Sequence, residues 1–514
     1  MQLVNPSRIA EIDNYAAKEL CLSETLLMGR AGEAVAACAA EWLPDGGLAL
    51  ILCGGGNNGG DGYAAAMALR GRGYRVVCVD VFGKGQRSEA GKYYLAGYSE
   101  EGAPLVPSSL GHFAFERLLA DSDLVIDAVF GTGFLGELPS DAAELAERIS
   151  SSGVPVLAVD VPLGVNAQTG GVHPHAVKAV KTVCLSFYKR GLFSYPARDF
   201  CGELVLDSLG IPEETAALFG ADTYLTDEAF ARGLLAPRAK NTHKGSFGRA
   251  ALIAGSTAYR GAACLAAEGA FRMGAGLVEL ISEERVLQTA IRRLPEAIAH
   301  PVLPAKERGE RENAEILSAA ERAGAVLFGP GLGRAESLLD LLISLLHGEG
   351  APLVIDADGI NLLASVKEKR ELLRGAKRSV ILTPHPLEFA RLADMDVAAV
   401  QACRLPRAED FAKDTGSVVV LKGAGTVITD GRVSYINASG SPSLSKGGSG
   451  DVLAGMVTGL LLQGISPIEA AALGAYLHGA AGDLLEEAYS DCGVLPSELP
   501  RAAARVIRRL QKDK

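Results

Sequence analysis

Runs rich in Val, Ile and Leu alternate with helix-like segments along most of this 514-residue chain, and this alternation constrains the fold more than any other feature. Strands that are apolar at nearly every position must be buried on both faces, as happens when helices cover both sides of a parallel sheet. The pattern therefore predicts an α/β protein. The strand-like runs are 49–53, 74–82, 123–131, 154–162 and 181–187, then 248–256, 276–282, 325–333, 352–359, 379–386 and 417–425.

The two series of runs predict two domains. The stretch 211–245 between them carries prolines and polar clusters and lacks long strand signals, so we place the boundary near 215–225. The predicted domains are 1–217, a doubly wound sheet, and 218–514, a second α/β domain with a long apolar helical region from 451 to about 487. In such sheets the ligands bind at the carboxyl ends of the strands.

Composition excludes several function classes. A net charge of −11 and a pI of about 5.4 argue against a general nucleic-acid or membrane binder, so an anionic ligand must be held by local features. Nine thinly spread cysteines without a CxxC pair are typical of a reduced compartment. The first residues include acidic side chains and no long apolar run, so we expect no signal peptide, and the apolar stretches stay below the roughly 18–20 residues of a bilayer span. We expect a cytoplasmic protein.

The glycine-rich stretch GGGNNGGDG at 54–62 stands where a strand turns into a helix. A helix start offers unpaired N–H groups and a partial positive charge, and glycines let a phosphate approach them, so the stretch predicts an anion cradle; a flexible turn is the alternative. Asp127 and Asp160 end two further strands. Carboxylates at the ends of neighbouring parallel strands converge on one crevice, although each could also cap a helix.

The strongest signal is SKGGSGDVLAGMVTGLLLQG at 445–464. Its glycines leave backbone N–H groups free to point at one anion, and the apolar helix adds its dipole. Asp451 stands where a carboxylate could take a proton from an attacking hydroxyl during phosphoryl transfer. Lys422, in KGAGT, supplies a countercharge, and His385 lies between two prolines. Glu388 could bind Mg²⁺ through water, or be an ordinary acidic residue at a helix start.

The N-terminal motifs resemble those of NAD(P)H-hydrate epimerase domains, which interconvert the R and S forms of hydrated NAD(P)H. The resemblance rests on GGGNNGGDG, VIDAVFGTG (125–133) and VDVPLGVNAQTG (159–170). It implies a Rossmann-like fold with two catalytic residues: Asp160 near the reacting ring and Lys189 facing the same pocket, for which a solvated surface lysine is the alternative. The implied substrate contacts are Asn57, Asn58, Gly59, Gly60, Asp61, Gly131, Thr132, Gly133, Phe134, Leu135, Gly136, Glu137 and Asp160.

The same resemblance implies a potassium ion held by Asn58 and Asp127, for which oxygen ligands are suitable. One position departs from the family pattern: the third motif usually carries Ser where this chain has Leu163. A hydroxyl ligand would be lost by this change, whereas a backbone carbonyl ligand would survive it.

The C-terminal motifs resemble the ADP-dependent NAD(P)H-hydrate dehydratases, which have a ribokinase-like fold. The resemblance implies that the ring hydroxyl is phosphorylated and leaves as phosphate, giving NAD(P)H and AMP, with Mg²⁺ as cofactor and Asp451 as the base. The hydrate contacts would be Ala262, Gly331, Gly333, His385 and Asp451, and the nucleotide contacts would be Lys422, Gly423, Ala424, Gly425, Thr426 and Gly450. The motifs are HKGSFGR, GSTAYRGAA, GPGLG, DADGIN, TPHPLE, LKGAGT and GGSGDVLAG.

Together the two resemblances identify the chain as a member of the bifunctional NAD(P)H-hydrate repair enzymes, acting on NADHX, NADPHX and ADP, and we expect a homo-oligomer. Two alternatives stay open at this point. The chain could be a vitamin-precursor or sugar kinase with an attached nucleotide-binding domain, because GGSGD occurs across that superfamily. The first domain could also be only a binding or docking module, since Leu163 replaces the usual Ser.

Overall fold

The computed structural model describes residues 1–81, 87–107, 112–134, 137–220 and 222–512. The chain forms two compact units, Gln2–Thr223 and Tyr224–Lys514, the second of which also includes Met1. Each unit is a mainly parallel sheet accompanied by helices, which confirms the predicted α/β class.

The first unit contains eight strands and seven α-helices within its described residues. The strands are β1 (Gln2–Leu3), β2 (Leu48–Cys53), β3 (Arg75–Asp80), β4 (Leu105–Pro107), β5 (Leu124–Ala128), β6 (Val156–Val159), β7 (Lys181–Leu185) and β8 (Glu203–Asp207). The helices are α1 (Ile9–Glu19), α2 (Glu24–Ala40), α3 (Asn57–Gly71), α4 (Glu89–Glu100), α5 (His112–Ala120), α6 (Ser140–Ser152) and α7 (Thr215–Leu218), with 3₁₀ turns at Pro6–Arg8, Arg190–Phe193 and Ala197–Phe200.

Seven of these strands form one sheet in the order β4-β3-β2-β5-β6-β7-β8, and every neighbouring pair is parallel. All six residues of β2 and all five of β5 are buried, as expected of central strands between two helix layers. The chain leaves β2 towards β3 on one side and later adds β5 on the other. The strand order therefore reverses between β2 and β5, which is where doubly wound sheets bind ligands.

The second unit contains ten strands within its described residues. They are β9 (Thr223–Thr226), β10 (Arg249–Ile253), β11 (Leu277–Glu283), β12 (Ile298–Val302), β13 (Ala325–Phe328), β14 (Leu353–Ile355), β15 (Val380–Leu382), β16 (Val418–Leu421), β17 (Val427–Thr429) and β18 (Ser434–Asn437). In the sheet they follow the order β9-β18-β17-β16-β15-β14-β13-β10-β11-β12. The pairs from β12 to β16 are parallel, and β17 and β18 extend the sheet as an antiparallel hairpin.

Thirteen α-helices of the described chain accompany this sheet. They are α8 (Glu228–Leu234), α9 (Arg260–Arg272), α10 (Glu284–Arg293), α11 (Glu310–Glu321), α12 (Glu336–His347), α13 (Asp358–Ala364), α14 (Lys369–Arg374), α15 (Pro386–Ala393), α16 (Val397–Ala402), α17 (Arg404–Thr415), α18 (Ser449–Leu461), α19 (Pro467–Gly493) and α20 (Leu499–Lys512). Four 3₁₀ turns lie at Lys244–Phe247, Ala305–Glu307, Pro442–Leu444 and Pro496–Glu498.

The apolar region predicted from 451 to about 487 is two helices, α18 and α19, separated at Gly464, which has a φ of +76°. Helix α18 is buried along nearly its whole length and packs closely on α9. A Cβ on Gly455 would lie 2.0 Å from the Ala266 carbonyl oxygen, so only glycine permits this contact. The close packing fixes the position of the α18 N-terminus beside the sheet.

Candidate active sites

The first unit contains a cavity of about 1050 Å³ at the carboxyl ends of β2 and β5. The glycines of 54–62 are required because two backbones meet there. A Cβ on Gly54 would lie 1.9 Å from the Val129 carbonyl oxygen, and a Cβ on Gly59 would lie 1.9 Å from the Gly54 carbonyl oxygen. The chain can therefore turn from β2 into α3 at this spacing only without side chains at these two positions, and the start of α3 faces the cavity.

Most of the residues predicted for the first site line this cavity. Gly59 and Gly60 are exceptions, because they pack inside the fold; a Cβ on Gly60 would lie 2.6 Å from Met28 Cε. Leu135 and Gly136 lie outside the described residues. The predicted residues that line the cavity are Asn57, Asn58, Asp61, Gly131, Thr132, Gly133, Phe134, Glu137, Asp160 and Lys189.

A buried ion pair between Lys189 and Asp160 forms part of the cavity wall. Lys189 is 1% exposed, and its Nζ also donates to the Leu185 carbonyl oxygen at 2.6 Å. Asp160 has a φ of +67°, a conformation that a non-glycine residue keeps only when its surroundings hold it there. Its Oδ1 accepts the Leu185 N–H at 3.2 Å. An ammonium and a carboxylate are thus fixed against each other where a proton could be held or moved.

Two acidic residues of this cavity, Asp13 on α1 and Glu24 on α2, were not predicted from the sequence. Burial raises the pKa of Asp13 to about 6; Lys189 opposes the shift, while Asp160 and Glu24 add to it. Burial also raises the pKa of Asp61 well above its ordinary value, and Asp160 and Asp13 add to that shift. No motif marks Asp13 or Glu24, because they lie on amphipathic helices that reach the cavity only after folding.

Asp127 is fully buried at the end of β5. Its Oδ2 accepts the Leu163 N–H at 2.7 Å and its Oδ1 accepts the Val129 N–H at 3.2 Å. Burial raises its pKa to about 6, with these two hydrogen bonds opposing the shift. Among the described residues no cationic side chain forms an ion pair with it. A buried carboxylate of this kind favours a bound cation.

Asn58 and Leu163 belong to the first and third N-terminal motifs, and Asp127 belongs to the second. The amide nitrogen of Asn58 is buried without a hydrogen-bond partner, while its Oδ1 lies 3.2 Å from where a Cβ on Gly131 would stand. The Leu163 side chain is fully buried in an apolar cluster that includes Val177. The Leu163 carbonyl oxygen accepts the Val177 N–H at 2.9 Å, which leaves that oxygen one further lone pair.

The second unit gathers a lysine and two carboxylates at the start of α18. The buried Oδ1 of Asp356 accepts hydrogen bonds from Lys422 Nζ at 2.9 Å and from Thr383 Oγ1 at 2.7 Å. A Cβ on Gly450 would lie 3.2 Å from Lys422 Nζ and 3.9 Å from Asp356 Oδ2. The ammonium therefore sits against the helix start, and both would face an anion bound there.

Asp451, the predicted base, lies in the first turn of α18. Burial raises its pKa to about 7, with Asp356 adding to the shift and Lys422 opposing it. A carboxyl with this pKa exchanges protons near neutral pH, which suits a general base. Asp356 and Thr383 were not predicted as site residues; the signal available was an acidic residue at a strand end.

His385 caps helix α15. Its Nδ1 accepts the N–H groups of Leu387 at 3.2 Å and of Glu388 at 3.3 Å. Glu388 Oε2 in turn accepts the His385 N–H at 2.9 Å, which completes a capping box. Burial, followed by Lys422, lowers the pKa of His385, and burial raises the pKa of Glu388 to about 7 against the effect of Lys422. The imidazole is therefore neutral at physiological pH.

The KGAGT loop at 422–426 connects β16 to β17, and Arg404 holds its first residues through hydrogen bonds to the backbone. Gly423 has a φ of +141°, and Arg404 Nη2 donates to the Leu421 carbonyl oxygen at 3.0 Å and to the Lys422 carbonyl oxygen at 3.1 Å. Thr426 Oγ1 donates to the Gly423 carbonyl oxygen at 2.9 Å, closing the loop over Ala424 and Gly425. Arg404 was not predicted, since it lies far from the loop in sequence.

Ala262, Gly331 and Gly333 come together from two other strand ends. Gly331 has a φ of +64°, and a Cβ there would lie 2.9 Å from Ala262 Cβ and 2.8 Å from Tyr259 Cβ. The Gly333 N–H donates to Asp358 Oδ2 at 2.8 Å. The loops that follow β10, β13 and β14 thus meet at the same edge of the sheet.

His478, on α19, holds the start of α18 and was not predicted from the sequence. Its Nε2 lies 3.0 Å from the Ser449 carbonyl oxygen and 3.2 Å from Ser449 Oγ, and burial lowers its pKa to about 4. Its position in an apolar helical run gives no sign of this contact. Across the described residues, no group of three or more His, Cys, Asp and Glu side chains is arranged to hold a metal ion on its own.

These features define a class of enzyme. The first unit is a Rossmann-like domain with a cavity at its switch point that is lined in part by ionisable side chains. The second is a ribokinase-like domain in which a lysine and a carboxyl of raised pKa lie at the start of a buried helix. The chain is therefore an enzyme with two nucleotide-handling domains. None of the described helices is long and apolar enough to cross a membrane.

Comparison with known proteins specifies the family. A family model for NAD(P)H-hydrate dehydratase matches residues 250–505, and a model for the YjeF-related protein N-terminus matches residues 24–191. The chain is 36% identical to the bifunctional NAD(P)H-hydrate repair enzyme of Coxiella burnetii over 496 residues, covering 96% of each chain. It is 35% identical to the enzyme of that name from Moorella thermoacetica, covering 100% of this chain and 98% of the relative.

A solved structure gives the same result for the second unit. The ADP/ATP-dependent NAD(P)H-hydrate dehydratase of Bacillus subtilis, co-crystallised with ATP and Mg²⁺, is 33% identical with a TM-score of 0.50, covering 56% of this chain and 98% of that one. The chain belongs to the family of bifunctional NAD(P)H-hydrate repair enzymes. The family, the fold class and the two-enzyme interpretation predicted from the sequence are thereby confirmed.

Proposed function

We propose that the 2–223 unit epimerises NAD(P)H hydrate at the Asp160–Lys189 pair. In the hydrated ring the hydroxyl-bearing carbon is bonded to the ring nitrogen, whose lone pair can expel the hydroxyl once a proton reaches it. Water then adds to either face of the resulting iminium carbon and loses a proton. Asp160 and Lys189, fixed on the cavity wall, would hold and return that proton.

Asn57, Asn58, Asp61, residues 131–134 and Glu137 would bind the nucleotide, because the start of α3 supplies N–H groups and a positive dipole. The donor set at Asp127 fits a potassium ion: a buried carboxylate without an ion-pair partner among the described residues, the Asn58 amide oxygen, and one lone pair on the Leu163 carbonyl. When bound, K⁺ would neutralise the charge of the Asp127 carboxylate. Leu163 would contribute only through its backbone.

The second unit would dehydrate the S epimer. Asp451 takes the proton of the ring hydroxyl, whose oxygen attacks the terminal phosphorus of ADP, and AMP leaves. The ring phosphate ester then breaks its C–O bond, the neighbouring ring carbon loses a proton, and NAD(P)H and phosphate are formed. Phosphorylation is needed because phosphate is a far better leaving group than hydroxide. Lys422, whose Nζ lies against Gly450 at the start of α18, and the Gly450 backbone would face the transferred phosphoryl group.

His385, Gly331, Gly333 and Ala262 would contact the hydrate, and the 422–426 loop the nucleotide. Asp356, Glu388 and Asp451 all act on the single ammonium of Lys422, and this excess of negative charge fits a divalent cation bound with nucleotide phosphates. Glu388 would hold Mg²⁺ through water, and the ion would neutralise charge on the phosphates. His385 would position the hydrate and would not transfer a proton through Nδ1, because Nδ1 already caps α15.

One observation carries this proposal: the Lys422 ammonium, paired with Asp356, lies against Gly450 at the start of α18, next to the Asp451 carboxyl whose pKa burial raises to about 7. The test incubates the full chain with a mixture of R and S NADHX, ADP, Mg²⁺ and K⁺, and follows the absorbance of reduced nicotinamide. We expect complete recovery of NADH with equimolar AMP and phosphate. A stable phosphorylated product without NADH would favour the kinase alternative.

The role of the first unit is tested in the full-length Asp451→Asn variant. This substitution is expected to stop dehydration, so that R-to-S conversion can be followed by chromatography without consumption of the S epimer. Conversion above the uncatalysed rate supports an epimerase, and its absence supports a docking module. Substituting Na⁺ for K⁺ in the same assay tests the potassium site. Cytoplasmic location, a homo-oligomeric state and the preference between NADHX and NADPHX stay predictions.

A further inference from the structure

A groove of about 770 Å³ lies between helices α13 and α15 of the second unit. Its volume is within the range of pockets that hold small ligands. None of the residues predicted for catalysis, hydrate binding or nucleotide binding lines it. The polar residues along it are Arg334, Asn361, Ser365, Arg391, Asp394 and Asp396.

The groove begins where the proposed hydrate contacts end. Arg334 directly follows Gly333, whose N–H is bonded to Asp358 at the start of α13. Leu387, which also lines the groove, lies two residues after His385 in the chain. A ligand whose reacting ring lies at Gly333 and His385 therefore has this groove as a path away from the strand ends.

The groove is equipped for phosphate. Arg391 Nη1 donates to Asn361 Oδ1 at 2.7 Å, which holds the guanidinium along the groove wall with further donors available. Arg334 is 61% exposed and lies 3.7 Å from Asp358 Oδ1. Arginine matches the geometry of phosphate oxygens through paired N–H donors. One of the two acidic residues, Asp394, is already paired with Lys369 at 2.6 Å and repels an anion less.

We propose that this groove binds the non-reacting part of the dinucleotide hydrate, with Arg391 and Arg334 on its pyrophosphate and the adenylate half extending between α13 and α15. This inference rests on the proposed dehydratase function. It gives the dehydratase two separate nucleotide sites: ADP at the 422–426 loop and the hydrate's own adenylate in the α13–α15 groove. Recognition of the dinucleotide would thus be separate from phosphoryl transfer.

The test compares the Arg391→Gln and Arg334→Gln variants of the full chain with wild type. Each arginine–phosphate contact is worth about a tenfold to hundredfold change in affinity. We expect the KM for NADHX to rise by about that factor in each variant, with kcat and the KM for ADP unchanged. The hydrate of reduced nicotinamide mononucleotide lacks the adenylate half and the pyrophosphate, so its KM should change much less. Arg311→Gln, an exposed residue of α11 outside the groove, is the matched control.

Equal rises in KM for both hydrates, or no rise for either, would overturn the groove assignment, as would a rise in the KM for ADP. A change in the light-scattering mass of the variants would indicate a subunit contact instead. Binding of ADP-ribose, measured by calorimetry, separates this inference from the function on which it rests. If the wild-type protein does not dehydrate NADHX but Arg391→Gln binds ADP-ribose more weakly than wild type, the proposed function is wrong and the groove assignment is supported. If Arg391→Gln binds ADP-ribose as tightly as wild type, the groove assignment is wrong.

Discussion

The acid limb of the dehydratase pH profile should belong to Asp451. Burial and Asp356 raise the pKa of this carboxyl to about 7, whereas an exposed aspartate titrates at 3.8. The group must be deprotonated to accept a proton from the hydrate hydroxyl. The reaction should therefore slow as the pH falls through 7, in a range where an ordinary aspartate would give a flat profile.

The magnitude follows from the pKa. A base of pKa 7 is about 90% deprotonated at pH 8 and about 9% deprotonated at pH 6, so kcat/KM should fall roughly tenfold between these values. Asp451→Asn removes the base and should lower the rate by about 10²- to 10⁴-fold. Its residual rate should also lose the part of the acid limb that is due to Asp451, because that carboxyl is gone.

The assay follows NADH formation from the S hydrate with saturating ADP and Mg²⁺ from pH 5.5 to 9 in buffers of constant ionic strength. The Asp451→Asn profile is the control for titration of ADP itself, since any limb due to ADP persists in the variant. A flat wild-type profile, an unchanged limb in the variant, or a variant that retains more than a tenth of the wild-type rate would refute Asp451 as the base.

Three further predictions concern Lys189, Gly450 and His478. Lys189→Met should abolish epimerisation and cost about 3–5 kcal/mol of stability, because Asp160 is left buried and unpaired; dehydration of pure S hydrate in the same protein should persist. Gly450→Ala should raise the KM for ADP about tenfold with an unchanged Tm, because the added Cβ stands 3.2 Å from Lys422 Nζ on the exposed side of the helix start; an unchanged KM would contradict this geometry. His478 has its pKa lowered to about 4 by burial, so the unfolded chain takes up a proton first as the pH falls below 6.5, and stability should drop by up to about 3 kcal/mol by pH 4. Urea unfolding of His478→Gln should show a smaller loss over that window than wild type, and parallel curves would show that the histidine does not contribute.

The strands that were missed show where periodicity stops being informative. The predicted runs are all present as buried strands, because a central parallel strand must be apolar on both faces. The β17–β18 hairpin was not predicted, because its strands are short and lie beside the parallel part of the sheet. Its signal was the Asp430–Gly431 turn, in which Asp430 Oδ1 accepts the N–H groups of Arg432 and Val433 at 2.8 Å.

The site residues also divide into those marked by local sequence motifs and those brought in by tertiary packing. Glycine runs and strand-end acids are local in sequence, so Asp160, Lys422, Gly450 and Asp451 could be nominated from motifs and the family resemblance. Arg404, which anchors the 422–426 loop, could not be nominated in this way, because its partners lie in other elements.

The sequence by itself determined the layer architecture and the family, and it predicted two glycine-rich anion sites, because these depend on the order of apolar runs and on backbone freedom at particular positions. Only the tertiary structure decided which ionisable groups titrate near neutral pH and which hold their neighbours in place. Asp13 and His478 have ordinary sequence surroundings, and Asp356 was marked only as an acidic residue at a strand end. Their roles come from burial and from charges brought close by packing, which chain order does not record.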